Sequence, residues 1–269
     1  MPRPQRHPLA LFSLKPFNDR AQDVVTHPCN SHLVSTLPDG ALALDVGFNI
    51  RSKSCNTLAT LGRGDTDIFI KGSSIAKVQC SFEIDLDSRV VMLYDRSNGL
   101  TTQVSGNNAT PFEHGRRRRV VVQKGLNTII GMGGVGCDLV QFELKWHPNP
   151  TQTMEKAKSQ EGLAWGLDEN PRLARTVDEA PTVLPSQRGT RIHTPGERKL
   201  RMRYEKVGPP LGSGQFGIVH KCIDVDSGKL MAVKVLTRPP GTSQEGWREE
   251  FHHTLKREVE TLSNISHVS

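Results

Sequence analysis

Between Leu211 and Glu258 the chain carries glycines, a lysine and a carboxylate at spacings suited to phosphate chemistry. Leu211-Gly-Ser-Gly-Gln-Phe-Gly-Ile-Val219 sets Gly212, Gly214 and Gly217 in a turn, with Ser213, Gln215 and Phe216 between them. Glycine has no Cβ, so its backbone N–H groups can come close to a phosphate. Met231-Ala-Val-Lys234 follows, and later Lys256-Arg-Glu-Val259. Val219 and Ala232 offer small apolar surface to a flat base, Lys234 a cation, and Glu258 a carboxylate to hold that cation. Taken singly, Lys234 and Glu258 read as surface charges.

Strand–turn–strand elements must position these groups. Tyr204–Leu211, Gly217–Asp224 and Lys229–Leu236 read as three strands, with Val225-Asp-Ser-Gly228 as a hairpin turn. Thr242-Ser-Gln-Glu245 offers a capping box for a helix whose apolar stripe is Trp247, Phe251, Leu255, Val259 and Leu262. Glu258 lies at the edge of that stripe, where a carboxylate needs a cationic partner. Upstream, short runs of β composition recur from Leu33 to Trp146: Ala41–Val46, Asn56–Leu61, Ile68–Ile70, Cys80–Asp85, Val90–Tyr94, Val120–Gln123, Asn127–Ile130 and Leu139–Lys145. Turn signals such as Pro38-Asp-Gly40 and Ser97-Asn-Gly99 separate them. Phe82, Ile84 and Leu86 alternate with Ser81, Glu83 and Asp85, which gives one strand a dry and a wet face. Helical periodicity is absent, so a β-sandwich is expected. Gly131-Met-Gly-Gly-Val-Gly136 also fits G-x-G-x-x-G, but a strand-like run follows and no helix opens; it reads as a turn.

Composition sets the outer bounds. A length of 269 suggests about two domains. Hydrophobic content of 35% and aromatic content of 5% predict one well-formed core plus long polar segments. The net charge of +7 permits acidic or phosphorylated partners. Basic residues are scattered apart from Arg116-Arg-Arg-Arg119, so specific nucleic-acid binding is not expected. That run reads as a solvated turn and strand start, the alternative being a nuclear-import or acidic-partner patch. No apolar run of about 18 residues occurs, and the N-terminus lacks a signal-peptide core, so no membrane association is expected. Five cysteines without paired spacing read as reduced thiols of an intracellular protein, in cytoplasm or nucleus.

The glycine, lysine and glutamate set resembles the ATP-binding front end of a eukaryotic protein kinase, G-x-G-x-x-G-x-V, then V-A-I-K, then a helix glutamate. The resemblance covers Tyr204 to His267. It implies ATP as cofactor, held by Leu211, Gly212, Ser213, Gly214, Gln215, Phe216, Gly217, Val219, Ala232 and Lys234, with Lys234 on the α- and β-phosphates and Glu258 orienting it. His-Arg-Asp, Asp-Phe-Gly and Ala-Pro-Glu do not occur in the 269 residues. The catalytic base and the Mg2+ ligands of a complete kinase are thus missing. As a fragment, this polypeptide is expected to be inactive in phosphotransfer and to hold no metal.

Leu61-Gly-Arg-Gly64 and Leu93-Tyr-Asp-Arg-Ser-Asn-Gly99 resemble the forkhead-associated (FHA) domain, an eleven-stranded β-sandwich that binds phosphothreonine peptides through loops at one end. The family pattern is G-R, then S-x-x-H, then D-x-S/T-x-N-G. The resemblance implies phosphopeptide binding by Arg63, Lys77, Ser97 and Asn98. Ala76 stands where the family's phosphate-binding serine sits, and Gln79 where its structural histidine sits.

The expected architecture is mainly β. A mostly disordered N-terminus (1–27), in which Leu9–Phe17 packs loosely as a short extended piece, precedes an FHA-type sandwich (28–147), a long flexible linker (148–202) with a weak helix at Glu155–Trp165, and a partial kinase N-lobe (203–269) of three antiparallel strands plus one helix. The whole resembles FHA-containing serine/threonine kinases of the fungal checkpoint type, with the sandwich docking phosphorylated protein partners. The alternative is a non-catalytic FHA adaptor with a vestigial kinase stub.

Overall fold

The computed structural model describes residues 4–52, 54, 56–85, 88–134, 138–159, 201–214, 217–236 and 256. The chain divides into two units, Met1–Tyr204 with Asp224–Lys229, and Glu205–Ile223 with Leu230–Ser269.

The first unit is built on two sheets. The strands are β1 Ala10–Pro16, β2 Val34–Thr36, β3 Leu42–Gly47, β4 Thr57–Gly62, β5 Ile68–Phe69, β6 Cys80–Ile84, β7 Val91–Asp95, β8 Gln103–Ser105, β9 Arg119–Val121, β10 Ile129–Met132 and β11 Val140–Trp146. One sheet runs β2-β3-β1-β11-β10-β8 and the other β5-β4-β6-β7-β9. Pairing is antiparallel except between β4 and β5. The sheets meet where Phe12 of β1 packs edge-on against Phe82 of β6, ring centroids 5.0 Å apart. Fully buried Leu14, Leu44, Leu61, Ile84 and Phe142 extend that core. The two-sheet sandwich expected from the short β-type runs is therefore present.

The N-terminal segment departs from expectation. The extended piece expected at Leu9–Phe17 is β1, but it is not a loosely packed part of a disordered N-terminus: it lies inside the first sheet, paired to β3 and β11. Helix α1, Asp19–Thr26, follows it, and a 3-10 turn spans Pro28–Leu33. The physical reason is burial on both faces. Phe12 packs on the other sheet and Leu14 lies on the same face, while Leu11 and Ser13 on the opposite face are fully buried as well. A strand buried on both faces shows no alternation in its sequence. Asn18 caps α1 by accepting from the Ala21 N–H at 3.0 Å, and donates to Leu139 O at 2.9 Å. Buried Asn30 donates to Val24 O and Phe69 O and accepts from the Phe69 N–H, which ties the turn to β5. A second helix, α2 Pro150–Ser159, falls in the stretch expected to be linker and packs on β1 through buried Met154 and Ala157. It begins before the weak helix expected at Glu155–Trp165; residues 160–200 lie outside the described residues.

A buried carboxylate joins the first three strands. Asp45 of β3 accepts from Ser13 Oγ and Ser35 Oγ, each at 2.6 Å, and from the His7 N–H at 2.7 Å. His147 Nε2 lies 2.9 Å from Ser13 Oγ and 3.8 Å from Asp45. Burial pushes the Asp45 carboxyl up, but His147, Ser13, Ser35 and the His7 N–H together outweigh it and hold its pKa below the ordinary carboxylate value.

The second unit is a three-stranded antiparallel sheet in the order β12 (Tyr204–Gly214), β13 (Gly217–Asp224), β14 (Leu230–Leu236). β13 and β14 lie where the sequence places them, whereas β12 runs past the expected end at Leu211 to Gly214, so Gly212 and Gly214 stand on the strand and not in the expected turn. The linking turn closes as expected at Gly228, whose φ is 72° and whose N–H donates to Asp224 O. The expected helix over Thr242–Leu262, with Glu258, lies outside the described residues, Lys256 excepted.

The Asp45 cluster gives a pH-dependent prediction. A carboxyl whose folded pKa is depressed contributes stability that is present above its unfolded pKa, near 4, and is lost as pH falls through the folded value. Asp45→Ala leaves two hydroxyls and an N–H without their acceptor, so it should cost roughly 3 kcal/mol near pH 7. In urea denaturation series the gap between wild type and variant should narrow below about pH 4. A gap constant across pH would contradict the assignment.

Candidate functional site

Three loops converge at one end of the sandwich, beyond β4, before β6 and after β7. At the end of β4, the Arg63 N–H donates to Ala76 O and the Gly64 N–H to Lys77 O, both at 3.0 Å. A Cβ on Gly62 would stand 2.3 Å from Lys77 O, so the close approach of these two segments requires glycine there. Arg63 Nε donates to Ile75 O at 2.7 Å, which fixes the guanidinium over the 75–77 segment. Arg63 and Lys77 are both exposed.

Gln79 links the loops. It is fully buried; Oε1 accepts from the Ala76 N–H at 2.9 Å, and Nε2 donates to Thr101 Oγ1 and Thr102 Oγ1 at 2.9 and 3.0 Å. The amide therefore bridges the segment before β6 to the loop after β7, at the position where the FHA resemblance puts a structural histidine.

Asp95, at the end of β7, fixes the third loop. Its Oδ1 accepts from the Ser97 N–H (3.0 Å), Ser97 Oγ (2.7 Å) and Thr102 Oγ1 (2.8 Å). Its Oδ2 accepts from Arg118 Nε and Nη2 at 2.8 and 2.6 Å. Arg118 also donates to Leu100 O and Thr102 O, and stacks over Phe112. Part of the Arg116–Arg119 run is thus internal framework: Arg118 is committed to Asp95, and Arg119 lies over the Tyr94 ring. The left-handed residue of the loop is Leu100, φ 52°, and not Gly99. The Leu100 N–H donates to Ser97 O, which closes a turn with Asn98-Gly99 at its centre, and the Thr101 N–H donates to Ser97 Oγ.

The result is a cleft of about 550 Å3 lined by Arg63, Lys77, Ser97 and Asn98, the four residues singled out from the sequence, with Ser73, Ser74, Arg96 and Thr101. Ser97 is buried and Asn98 exposed. Sequence reasoning missed the last four. Ser73 and Ser74 supply hydroxyls near Ala76, and adjacent serines after Gly72 were the available signal. Arg96 pairs with Glu83 at 2.5 Å and lies 4.7 Å over the Tyr94 ring. Burial and Glu83 push the Tyr94 phenol up against the opposing pull of Arg119 and Arg96. Cys80 behind the cleft is fully buried, and burial pushes its thiol up, so it is no nucleophile.

In the second unit, Val219 stands opposite Lys234 and Lys221 opposite Ala232. Directly opposed residues, and residues two apart on a strand, project to the same side of a sheet. Val219, Ala232 and Lys234 therefore share one face. A Cβ on Gly217 (φ 152°) would stand 2.1 Å from Val235 O, so the sheet itself requires glycine there. At Gly212 and Gly214 an added Cβ meets nothing within 4 Å. Leu211 and Ser213 are exposed on β12; Gln215, Phe216 and Glu258 lie outside the described residues. Among the described residues, no group of His, Cys, Asp or Glu could hold a metal ion, and no helix is long and apolar enough to cross a membrane.

Fold and site thus define a β-sandwich with a loop-borne polar cleft and a separate three-stranded sheet. No protein-family model matches the chain. Parts of it are similar to serine/threonine kinases. It is 30% identical over 96 residues, 34% of this chain, to mitogen-activated protein kinase kinase kinase 1 of Homo sapiens. It is 36% identical over 62 residues to the serine/threonine-protein kinase BCK1/SLK1/SSP31 of Saccharomyces cerevisiae, and 34% over 76 residues to the probable serine/threonine-protein kinase fhkD of Dictyostelium discoideum. These stretches span only 6%, 4% and 10% of the respective relatives. The crystal structure of Rad53 1-466 in complex with AMP-PNP aligns with a TM-score of 0.46 and 14% identity, over 99% of this chain and 52% of that one.

Gln79→Ala would leave the Ala76 N–H without its acceptor and would take one donor from the Thr101 and Thr102 hydroxyls inside the loop frame. It should lower stability by about 2 kcal/mol in urea denaturation, while Gln79→His, which keeps a donor and an acceptor, should recover part of that loss. Equal stability of wild type and Gln79→Ala would remove the amide from its linking role.

Proposed function

We propose that the sandwich is a phosphothreonine-peptide reader of the FHA type, joined to the ATP-binding front of a serine/threonine kinase. The observation that carries this reading is the convergence of Arg63, Lys77, Ser97 and Asn98 on one cleft. A phosphate dianion needs several charge-assisted donors held in place. Arg63 and Lys77 are not paired to a carboxylate among the described residues, so their charge is available to a ligand. Ser73, Ser74 and Thr101 offer hydroxyls that stand in for the one missing at Ala76. Phosphorylated protein partners are the ligands this chemistry recognises.

The second unit supports ATP binding by its shared Val219, Ala232 and Lys234 face. Open space at Gly212 and Gly214 fits a phosphate cradle, since the fold itself does not demand glycine at either. There Val219 and Ala232 would pack on the base, and Lys234 would neutralise phosphate charge. Phosphotransfer and the Mg2+ that accompanies it in complete kinases call for residues beyond those in this sequence.

The test is calorimetric titration of the chain with a phosphothreonine peptide pool. Wild type should bind, the unphosphorylated pool should not, and Arg63→Ala should bind at least about tenfold more weakly, since one charge-assisted contact is worth about 1.5–3 kcal/mol. Unchanged affinity in a folded Arg63→Ala, or no binding by wild type, would reduce the sandwich to a scaffold.

A further inference from the structure

Asn98 and Gly99 form the one Asn-Gly pair in the sequence, and both line the cleft. They stand at the centre of the turn that the Leu100 N–H closes on Ser97 O, and Asp95 holds the Ser97 end through its N–H and hydroxyl. Both residues are exposed. Among the described residues, neither the Asn98 side-chain amide nor the Gly99 N–H enters a hydrogen bond. Other asparagines are committed. Buried Asn30 is bonded to Val24 and Phe69, buried Asn127 to Thr110 and Val121 O, and Asn18 caps α1. A Cβ added at Gly99 would meet Thr101 Cγ2 at 3.4 Å, an ordinary contact, so the loop frame does not demand glycine there. What glycine leaves is an unshielded backbone nitrogen next to a free side-chain amide.

We propose that Asn98 is a modification site, where deamidation puts a carboxylate into the cleft and closes it to phosphate. The Gly99 nitrogen attacks Asn98 Cγ and forms the ring bond of a succinimide. The bond from Cγ to the side-chain nitrogen breaks, and that nitrogen leaves as ammonia with the Gly99 proton. Water then opens the ring at either carbonyl, to aspartate or to isoaspartate. The new carboxylate replaces a neutral amide on a wall shared with Arg63 and Lys77. It repels a phosphate dianion and competes with it for the two cations. Isoaspartate also adds a methylene to the backbone between Ser97 and Leu100, whose spacing the turn bond sets. The loss of phosphate binding rests on the phosphothreonine reading of the cleft; the chemistry at Asn98 does not. A ligand seated in the cleft covers the pair, so an idle chain is modified faster than an engaged one.

The test ages the whole chain in mildly alkaline buffer and follows the fragment that contains Asn98 by mass spectrometry and isoaspartate labelling. Thermal melting checks that the aged protein is still folded. Asn98 should convert ahead of the other described asparagines, and a saturating phosphothreonine peptide should slow it. Converted protein should bind that peptide about tenfold more weakly by calorimetry, the scale of one lost charge-assisted contact. Gly99→Ala, which shields the attacking nitrogen, should keep Asn98 intact and hold its starting affinity over the same period. An Asn98 that stays intact in the folded chain while the denatured chain converts would overturn the modification site. Converted protein that binds as tightly as fresh protein would overturn the switch; either result leaves the phosphothreonine reading standing. Fresh protein that binds no phosphothreonine peptide would overturn that reading and the switch together.

Discussion

The carboxylate of Asp95 is the constraint on which the candidate site depends. It is buried and receives five hydrogen bonds, three from the loop that follows β7 and two from Arg118. A buried carboxylate without such donors would be costly, so the loop and the arginine are committed to these positions together. Ser97 is held at the cleft because Asp95 takes both its N–H and its hydroxyl proton. Gln79 carries the same order across to the segment that holds Arg63. The cleft is therefore shaped before any ligand arrives, which limits the ordering cost of binding.

That arrangement separates framework from ligand groups. Arg118 is committed to Asp95 and Arg96 to Glu83, while the exposed Arg63 lines the cleft with its side chain bonded to a backbone oxygen and to no carboxylate among the described residues. Arginines in one short region thus do different work, decided by which carboxylates lie within reach. Residue type alone does not distinguish them.

Much of the sandwich was legible because its strands are short, rich in β-branched and aromatic residues, and separated by turn signals. The three strands of the second unit were legible for the same reason, and the β13–β14 register adds the shared face of Val219, Ala232 and Lys234. The strand β1 was legible only as a loosely packed extended piece, not as a central strand of the first sheet. Both its faces are buried, so period-2 alternation is absent, and its flanks are rich in proline and polar residues. Helix α1 has only eight residues and owes its place to Asn18 and Asn30, whose partners are distant in sequence. In the site, Arg63, Lys77, Ser97 and Asn98 were legible through spacing. The roles of Arg118 and Gln79 were not, because each is defined by partners on other loops. Leu100 in the left-handed region was hidden by the stronger turn signal of Asn98-Gly99 beside it.

The most direct measurement is an amide and side-chain NMR titration of isotope-labelled chain with one phosphothreonine peptide and its unphosphorylated twin. Resonances of the Arg63 side chain and of the Lys77, Ser97, Asn98 and Thr101 amides should shift and saturate together with the phosphorylated peptide alone. Saturable shifts confined to another surface, or identical shifts with both peptides, would contradict a phosphate-reading cleft at this end of the sandwich.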